Sequence, residues 1–192
     1  ISDDMAERMA RLAQYDALTD LPNRVLLQDR AQQAIAQARR GGKALAVMYL
    51  DLDGFKQVND TLGHDMGDRL LVQFAQRLQR AVRASDTLCR HGGDEFVVLL
   101  PGLDRADPVG PACAVARKIL AAFDAPFDLG GHMVRGGLSG GIALSPEHGD
   151  TFEGLSRCAD SAMYAAKRGG RMCFMLYRGQ DKQPQSVLVA EV

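Results

Sequence analysis

Tryptophan is absent, aromatic residues fill only 6% of the 192 positions, and 23 basic and 24 acidic side chains nearly cancel to a formal charge of −1. That balance creates no overall field toward nucleic acid or an anionic membrane, so any grip on phosphate has to be local. No apolar run reaches the roughly 18 residues of a membrane span. The opening Ile-Ser-Asp-Asp has neither the basic nor the apolar region of a signal peptide. The expectation is a cytoplasmic segment with no nucleic-acid or membrane contact, and a start at Ile1 reads as an excerpt of a longer protein. The four cysteines (Cys89, Cys113, Cys158, Cys173) lie far apart, with no CxxC pair and no histidine at zinc-finger spacing. This argues against a disulfide framework or a structural zinc and for reduced thiols.

What is present is 46% hydrophobic content, enough for one substantial core at a length where a single domain is the simplest count. Residues 1–14 carry Met5, Met9 and Leu12 at helical spacing and read as the end of a linker helix from an upstream module, with a helix folded onto the domain as the alternative. The helical pattern from Val25 to Arg40 ends at Gly41-Gly42. Ala44 to Leu50 is a continuous apolar run, the mark of a strand buried on both faces, and it delivers Asp51 at its carboxyl end. Leu70, Phe74, Leu78 and Val82 stripe a helix over 68–82.

Two short apolar runs around Gly92-Gly93 describe a β-hairpin with Asp94 and Glu95 at its tip. A helix follows over 109–123, then a glycine-rich strand over 134–144. Asp150 and Glu153 suggest a capping box for a helix reaching Arg168, and Phe174 to Tyr177 suggests a last edge strand. The tail, 179–192, has no assignable structure. Helices alternating with strands imply an α/β fold with a central mixed sheet flanked by helices.

If the strand ending at Asp51 neighbours the hairpin, Asp51, Asp94 and Glu95 converge at one sheet edge. Ionised carboxylates so close raise one another's pKa unless a cation completes them. Magnesium suits such a place, because it takes a few carboxylates plus substrate phosphates, and two such ions fit the logic of phosphoryl transfer. The plain alternative is a solvated acidic turn.

Gly92-Gly-Asp-Glu-Phe96 resembles the signature of the GGDEF family of diguanylate cyclases. Five further segments in order resemble that family's motifs: Asp16-Ala-Leu-Thr-Asp-Leu-Pro-Asn-Arg24, Asp51-Leu-Asp-Gly-Phe-Lys56, Asn59-Asp-Thr-Leu-Gly-His-Asp-Met-Gly-Asp68, Arg83-Ala-Ser-Asp86 and Ala159-Asp-Ser-Ala-Met-Tyr-Ala-Ala-Lys167. The resemblance covers residues 15–178 and implies a palm-like nucleotide-cyclase fold with a catalytic hairpin. It implies an enzyme that joins two GTP into cyclic di-GMP plus two pyrophosphates, using two Mg2+ per half-site with Mn2+ as a substitute.

By the same resemblance Asp51, the carbonyl of Leu52, Asp94 and Glu95 hold metal. Either Glu95 or Asp94 takes the 3′-hydroxyl proton, and both remain open. Asp53 serves the local fold. Lys56, Lys167 and Arg171 meet the triphosphate. Asn59 and Asp68 read guanine, with His64 a weaker nucleotide contact. A carboxylate at 68 accepts from guanine N1 and N2, whereas adenine has no N1 donor; the alternative for Asp68 is a helix N-cap. Arg83 and Asp86 grip inhibitory product, the alternative being an exposed ion pair at a helix end.

The implied half-site requires a homodimer, set by an upstream sensor. The competing readings are a catalytically silent module that binds GTP or cyclic di-GMP, and a class III cyclase or polymerase-palm relative. One departure from the family pattern is the second glycine in Ser139-Gly-Gly-Ile-Ala143, expected to loosen the strand beneath the site.

Overall fold

The computed structural model describes residues 2–180 and the backbone of 185–189. In chain order the elements are α1 (Asp3–Gln14), α2 (Arg24–Gly41), β1 (Ala44–Asp53), α3 (Phe55–Leu62), α4 (His64–Ala81), β2 (Thr87–Gly92) and β3 (Glu95–Leu103). There follow α5 (Val109–Ala121), β4 (Phe127–Leu129), β5 (His132–Val134), β6 (Gly137–Ser145), α6 (Phe152–Arg168), β7 (Cys173–Leu176) and β8 (Gln185–Val189). Six strands form one sheet in the order β2-β3-β1-β6-β7-β8, and β4-β5 stand apart as a hairpin. The sheet is mixed, with β6 and β7 parallel and its other neighbours antiparallel.

The run Ala44 to Leu52 is buried throughout because helices cover both faces of β1. Ala46, Met48, Leu50 and Leu52 pack with Phe74 of α4 and Phe96 of β3. Leu45, Val47 and Tyr49 pack on the opposite face with Leu27 of α2 and with Leu155 and Met163 of α6. Successive strand residues alternate faces, so Asp51 follows Tyr49 onto the α6 side.

Gly140 and Gly141 do not loosen β6 as expected; they bring its neighbours in. A Cβ at Gly141 would lie 2.0 Å from the Ala159 carbonyl oxygen of α6, and one at Gly140 would lie 2.4 Å from the Phe174 ring. The missing side chains let α6 and β7 seat directly on β6.

Other differences have local causes. α4 begins at His64, ahead of the stripe that marks it, and α3 precedes it with Val58 as its one buried residue. Thr151 caps α6, its hydroxyl accepting from the Gly154 N–H at 3.1 Å, while Asp150 pairs with Arg39 at 3.2 Å. The Asp150–Glu153 box is therefore not formed. β7 is interior rather than an edge, because β8, drawn from the tail, pairs beyond it; the remainder of the tail after Gln180 lies outside the described residues.

α1 buries none of its residues, and Met5, Met9 and Leu12 are more than half exposed. All four cysteines are free. Among the described residues no helix is long and apolar enough to cross a membrane.

Candidate active site

Asp51 lies opposite Glu95 in the β1–β3 register and opposite Ser139 in the β1–β6 register. The hairpin turns at Gly92 and Gly93, whose φ values of +153° and +51° disfavour a side chain. The Leu52 N–H donates to the Asp94 carbonyl at 3.1 Å, closing the tip against β1. Arg90 braces it from outside. Its guanidinium donates to the Gly93 carbonyl at 2.8 and 3.0 Å and to both Asp16 oxygens at 3.1 and 3.2 Å.

Asp51, Leu52, Asp53, Lys56, Asp94, Lys167 and Arg171 line one open cleft of about 510 Å3. Burial pushes the Asp94 carboxyl up to about 6, and the neighbouring Asp51 carboxylate adds to the rise. Burial likewise pushes Glu95 up to about 7, with Asp160, Asp51 and Asp94 adding repulsion. Burial raises Asp53 as well, although the Ser139 hydroxyl donates to it at 3.1 Å and Arg171 lies near. Asp53 thus joins β1 to β6 while also lining the cleft.

Lys167, at the last turn of α6, donates from Nζ to Asp51 Oδ2. Burial works against its ammonium, yet that bond and the charges of Asp51, Asp94 and Asp53 raise its pKa overall. Asp51 Oδ1, by contrast, is buried with no hydrogen-bond partner. Among the described residues no three His, Cys, Asp or Glu side chains are gathered to enclose a metal unaided. Facing carboxylates with an orphaned oxygen nonetheless suit magnesium, which completes its shell with water and phosphate.

Arg171 reaches the cleft from a left-handed backbone: its φ is +67° and that of Met172 is +46°. Two adjacent non-glycine residues in that region are a local strain of the kind held at functional sites. Lys56 stands exposed in the first turn of α3.

Asn59 on α3 meets α4 at Gly67, a residue sequence reasoning passed over. Its signal was a glycine inside a helix, hidden because the helix was expected to start one residue later. Asp68 is exposed and interior to α4, so it is not an N-cap; Gly63 holds that position. His64 opens α4 and is exposed. Arg83 and Asp86 lie beyond the end of α4, and their pair is not an exposed helix-end bridge. The Asp86 side chain is 0% exposed and accepts from the Arg83 N–H at 2.7 Å, Nε at 3.0 Å and Nη2 at 2.8 Å. Arg83, with Lys43, Ser85 and Pro101, also lines a separate cleft of about 380 Å3.

A larger cleft of about 850 Å3 opens on the outer side of α6, near Arg157, Tyr164 and Arg178. It has one acid, Glu147, and so lacks the facing carboxylates that make the smaller cleft the candidate site.

A central strand ending in a buried acid, beside a glycine hairpin carrying two more, defines a mixed-sheet α/β domain built around an acidic cleft. Residues 13–173 match the family described as "Diguanylate cyclase, GGDEF domain", and the chain belongs to that family. It is 48% identical over 168 residues to the bifunctional diguanylate cyclase/cyclic di-GMP phosphodiesterase MucR of Pseudomonas aeruginosa, covering 86% of this chain and 24% of that protein. It is 45% identical over 165 residues to the diguanylate cyclase TpbB of the same organism, covering 85% and 37%. The solved GGDEF domain of TpbB superposes with a TM-score of 0.81 at 43% identity, covering 85% of this chain and 94% of that one. The coiled coil and GGDEF domain of DgcB from Caulobacter crescentus, solved with c-di-GMP, gives 0.78 at 28% identity, covering 90% of each. The chain therefore spans only about a quarter to two fifths of the length of these curated relatives.

Proposed function

We propose that this chain is the catalytic half-site of a cytoplasmic diguanylate cyclase, condensing two GTP into cyclic di-GMP with release of two pyrophosphates. The observation that carries this reading is Asp51 Oδ1, buried without a donor and facing Asp94, in the same cleft as Lys56, Lys167 and Arg171. Asp51, the Leu52 carbonyl, Asp94 and Glu95 would hold Mg2+, two ions per half-site, with Mn2+ as a substitute. When bound, the cations polarise the α-phosphate and ease ionisation of the attacking hydroxyl.

The chain's own groups do the rest. Lys56 and Lys167 bring point charges and Arg171 a bidentate fork to the triphosphate oxygens. Asn59 and Asp68, with His64 near, receive the guanine edge. In each half-reaction a ribose 3′-oxygen bonds to the α-phosphorus of the opposite GTP, the bond to the β-phosphate oxygen breaks, and Glu95 or Asp94 takes the hydroxyl proton.

One half-site holds one GTP, so two copies must face each other to bring each hydroxyl to the other's phosphorus. Residues 15–178 form this catalytic unit, and 1–14 form a linker helix through which an upstream sensor sets the pairing. Its unburied apolar stripe is consistent with that role. Product held at Arg83 and Asp86 restrains the pair.

The test is incubation with GTP and Mg2+ over a range of protein concentrations, with products identified by mass. Cyclic di-GMP formed at a rate rising faster than protein concentration is the expected result. GTP binding without pyrophosphate release from a tethered pair of copies would establish a silent nucleotide sensor instead.

A further inference from the structure

Gly67 is buried in the second turn of α4, where glycine weakens a helix relative to alanine. Its value lies in what it does not fill. A Cβ built there would lie 1.8 Å from Asn59 Oδ1, 2.8 Å from Asn59 Cγ and 3.3 Å from Phe55 Cε2. Real side chains never approach so closely, so the Asn59 oxygen occupies the volume that a side chain at 67 would take. Phe55, one turn earlier on α3, closes the slot from the side. Within it, Asn59 Oδ1 is buried and has no hydrogen-bond partner in the protein. The oxygen is sealed from solvent while Asn59 as a whole is only half-buried, so seating it in the slot fixes how the rest of the carboxamide is presented outward.

We infer that Gly67 is the positioning residue for base selection in this chain. By leaving a slot in α4 that takes the carboxamide oxygen, it fixes the direction in which Asn59 presents its accessible amide to a guanine edge. The inference rests on the proposal that Asn59 reads guanine. A methyl group at 67 forces the carboxamide to rotate out of the slot toward solvent, while Asp68, exposed on the next position, keeps its own contact. Binding of the guanine nucleotide weakens, and discrimination against adenine falls with it, because selectivity of this type depends on polar groups held ready for one base edge.

A double-mutant cycle on the whole chain tests this with G67A, N59A and G67A/N59A. Each is titrated with the α,β-methylene analogues of GTP and ATP, which cannot undergo the transfer, and each is melted. G67A is expected to weaken the GTP analogue by about tenfold or more and to narrow its preference over the ATP analogue, as expected for loss of a polar base contact. In the N59A background the same change should leave affinity untouched and raise Tm, since the obstacle is gone and alanine favours the helix.

Equal losses from G67A with and without Asn59 would make the effect a general disturbance of α4 and overturn the inference. So would a G67A protein that binds the GTP analogue like the parent. If N59A binds both analogues like the parent, the guanine reading of Asn59 fails. The Tm cycle then shows separately whether Gly67 and Asn59 are sterically coupled.

Discussion

Lys167 donates to Asp51 from the end of α6, so a residue proposed to meet the triphosphate already holds the acid proposed to meet the metal. The close seating of α6 on Gly141 brings the two together. One oxygen of Asp51 is neutralised and the other is left unpaired. On the proposed roles, the ammonium and an incoming divalent ion would compete for the same carboxylate.

Replacing Lys167 with methionine should move two properties in opposite directions. Removing the competing cation should tighten binding of Mn2+ alone by about tenfold, equivalent to roughly 1.4 kcal/mol of relieved competition. Turnover of GTP should fall at least as far. Mn2+ titration by electron paramagnetic resonance and a product assay read the two effects; weaker Mn2+ binding would contradict the arrangement.

The raised carboxyls predict how metal and pH trade off. Asp94 at about 6 and Glu95 at about 7 stand above the ordinary range of such groups, so the folded metal-free protein binds more protons than the unfolded chain between that range and pH 7. Their contribution to stability is therefore favourable at low pH and is lost as pH rises through about 7. A divalent ion should offset this loss. Mg2+ should raise Tm more at pH 8 than at pH 5, measured by melts with and without the ion.

Arg90→Ala should harm turnover more than nucleotide binding. Burial works against the Asp16 charge, but Thr19 and Arg90 hold its carboxyl below the usual range. Losing the guanidinium leaves that carboxylate and the Gly93 carbonyl without their shared donor, a cost of about 1–3 kcal/mol. The hairpin tip carrying Asp94 also loses its brace. Arg90→Lys should not restore activity, because one ammonium cannot span both acceptors. Denaturant titrations and separate KM and kcat values check this.

Arg83→Ala should relieve inhibition by cyclic di-GMP while leaving the uninhibited rate close to the parent's. It should also lower stability by about 1–3 kcal/mol, since the fully buried Asp86 carboxylate loses its guanidinium partner. Inhibition curves and denaturant titrations separate the two effects. Unchanged inhibition would remove this pair from the regulatory proposal.

Two-sided burial made β1 legible in the sequence as an unbroken apolar run, and the glycine pair made the hairpin legible. Helices α2 and α5 followed from their apolar periodicity, whereas the signal for α6 was an Asp150–Glu153 capping box, in a place where Thr151 in fact caps the helix. α3 escaped because Phe-Lys-Gln-Val-Asn-Asp-Thr-Leu is short and buries only Val58, too little for a stripe. The β4–β5 hairpin escaped because its strands are three residues each around Gly130-Gly131.

At the site, the family resemblance named Asp51, Asp94, Lys56, Lys167 and Arg171, which line the cleft, and Glu95, which is not among its lining residues. It did not reveal which atoms oppose one another: the lysine on Asp51, the arginine behind the hairpin and the slot at Gly67 all depend on segments far apart in the chain. The left-handed Arg171 was equally hidden, since nothing in Gly-Gly-Arg-Met specifies which residues after the glycines carry the strain.

The placement of β1, hemmed by strands on two sides and helices on two faces, leaves Asp51 little room to respond to anything upstream. On the proposed arrangement, a messenger arriving along α1 would have no soft interior to reshape. What it could alter, if two copies pair as proposed, is the spacing and angle at which one finished domain meets its twin, so output would be graded by encounter geometry while each domain's own chemistry stays constant.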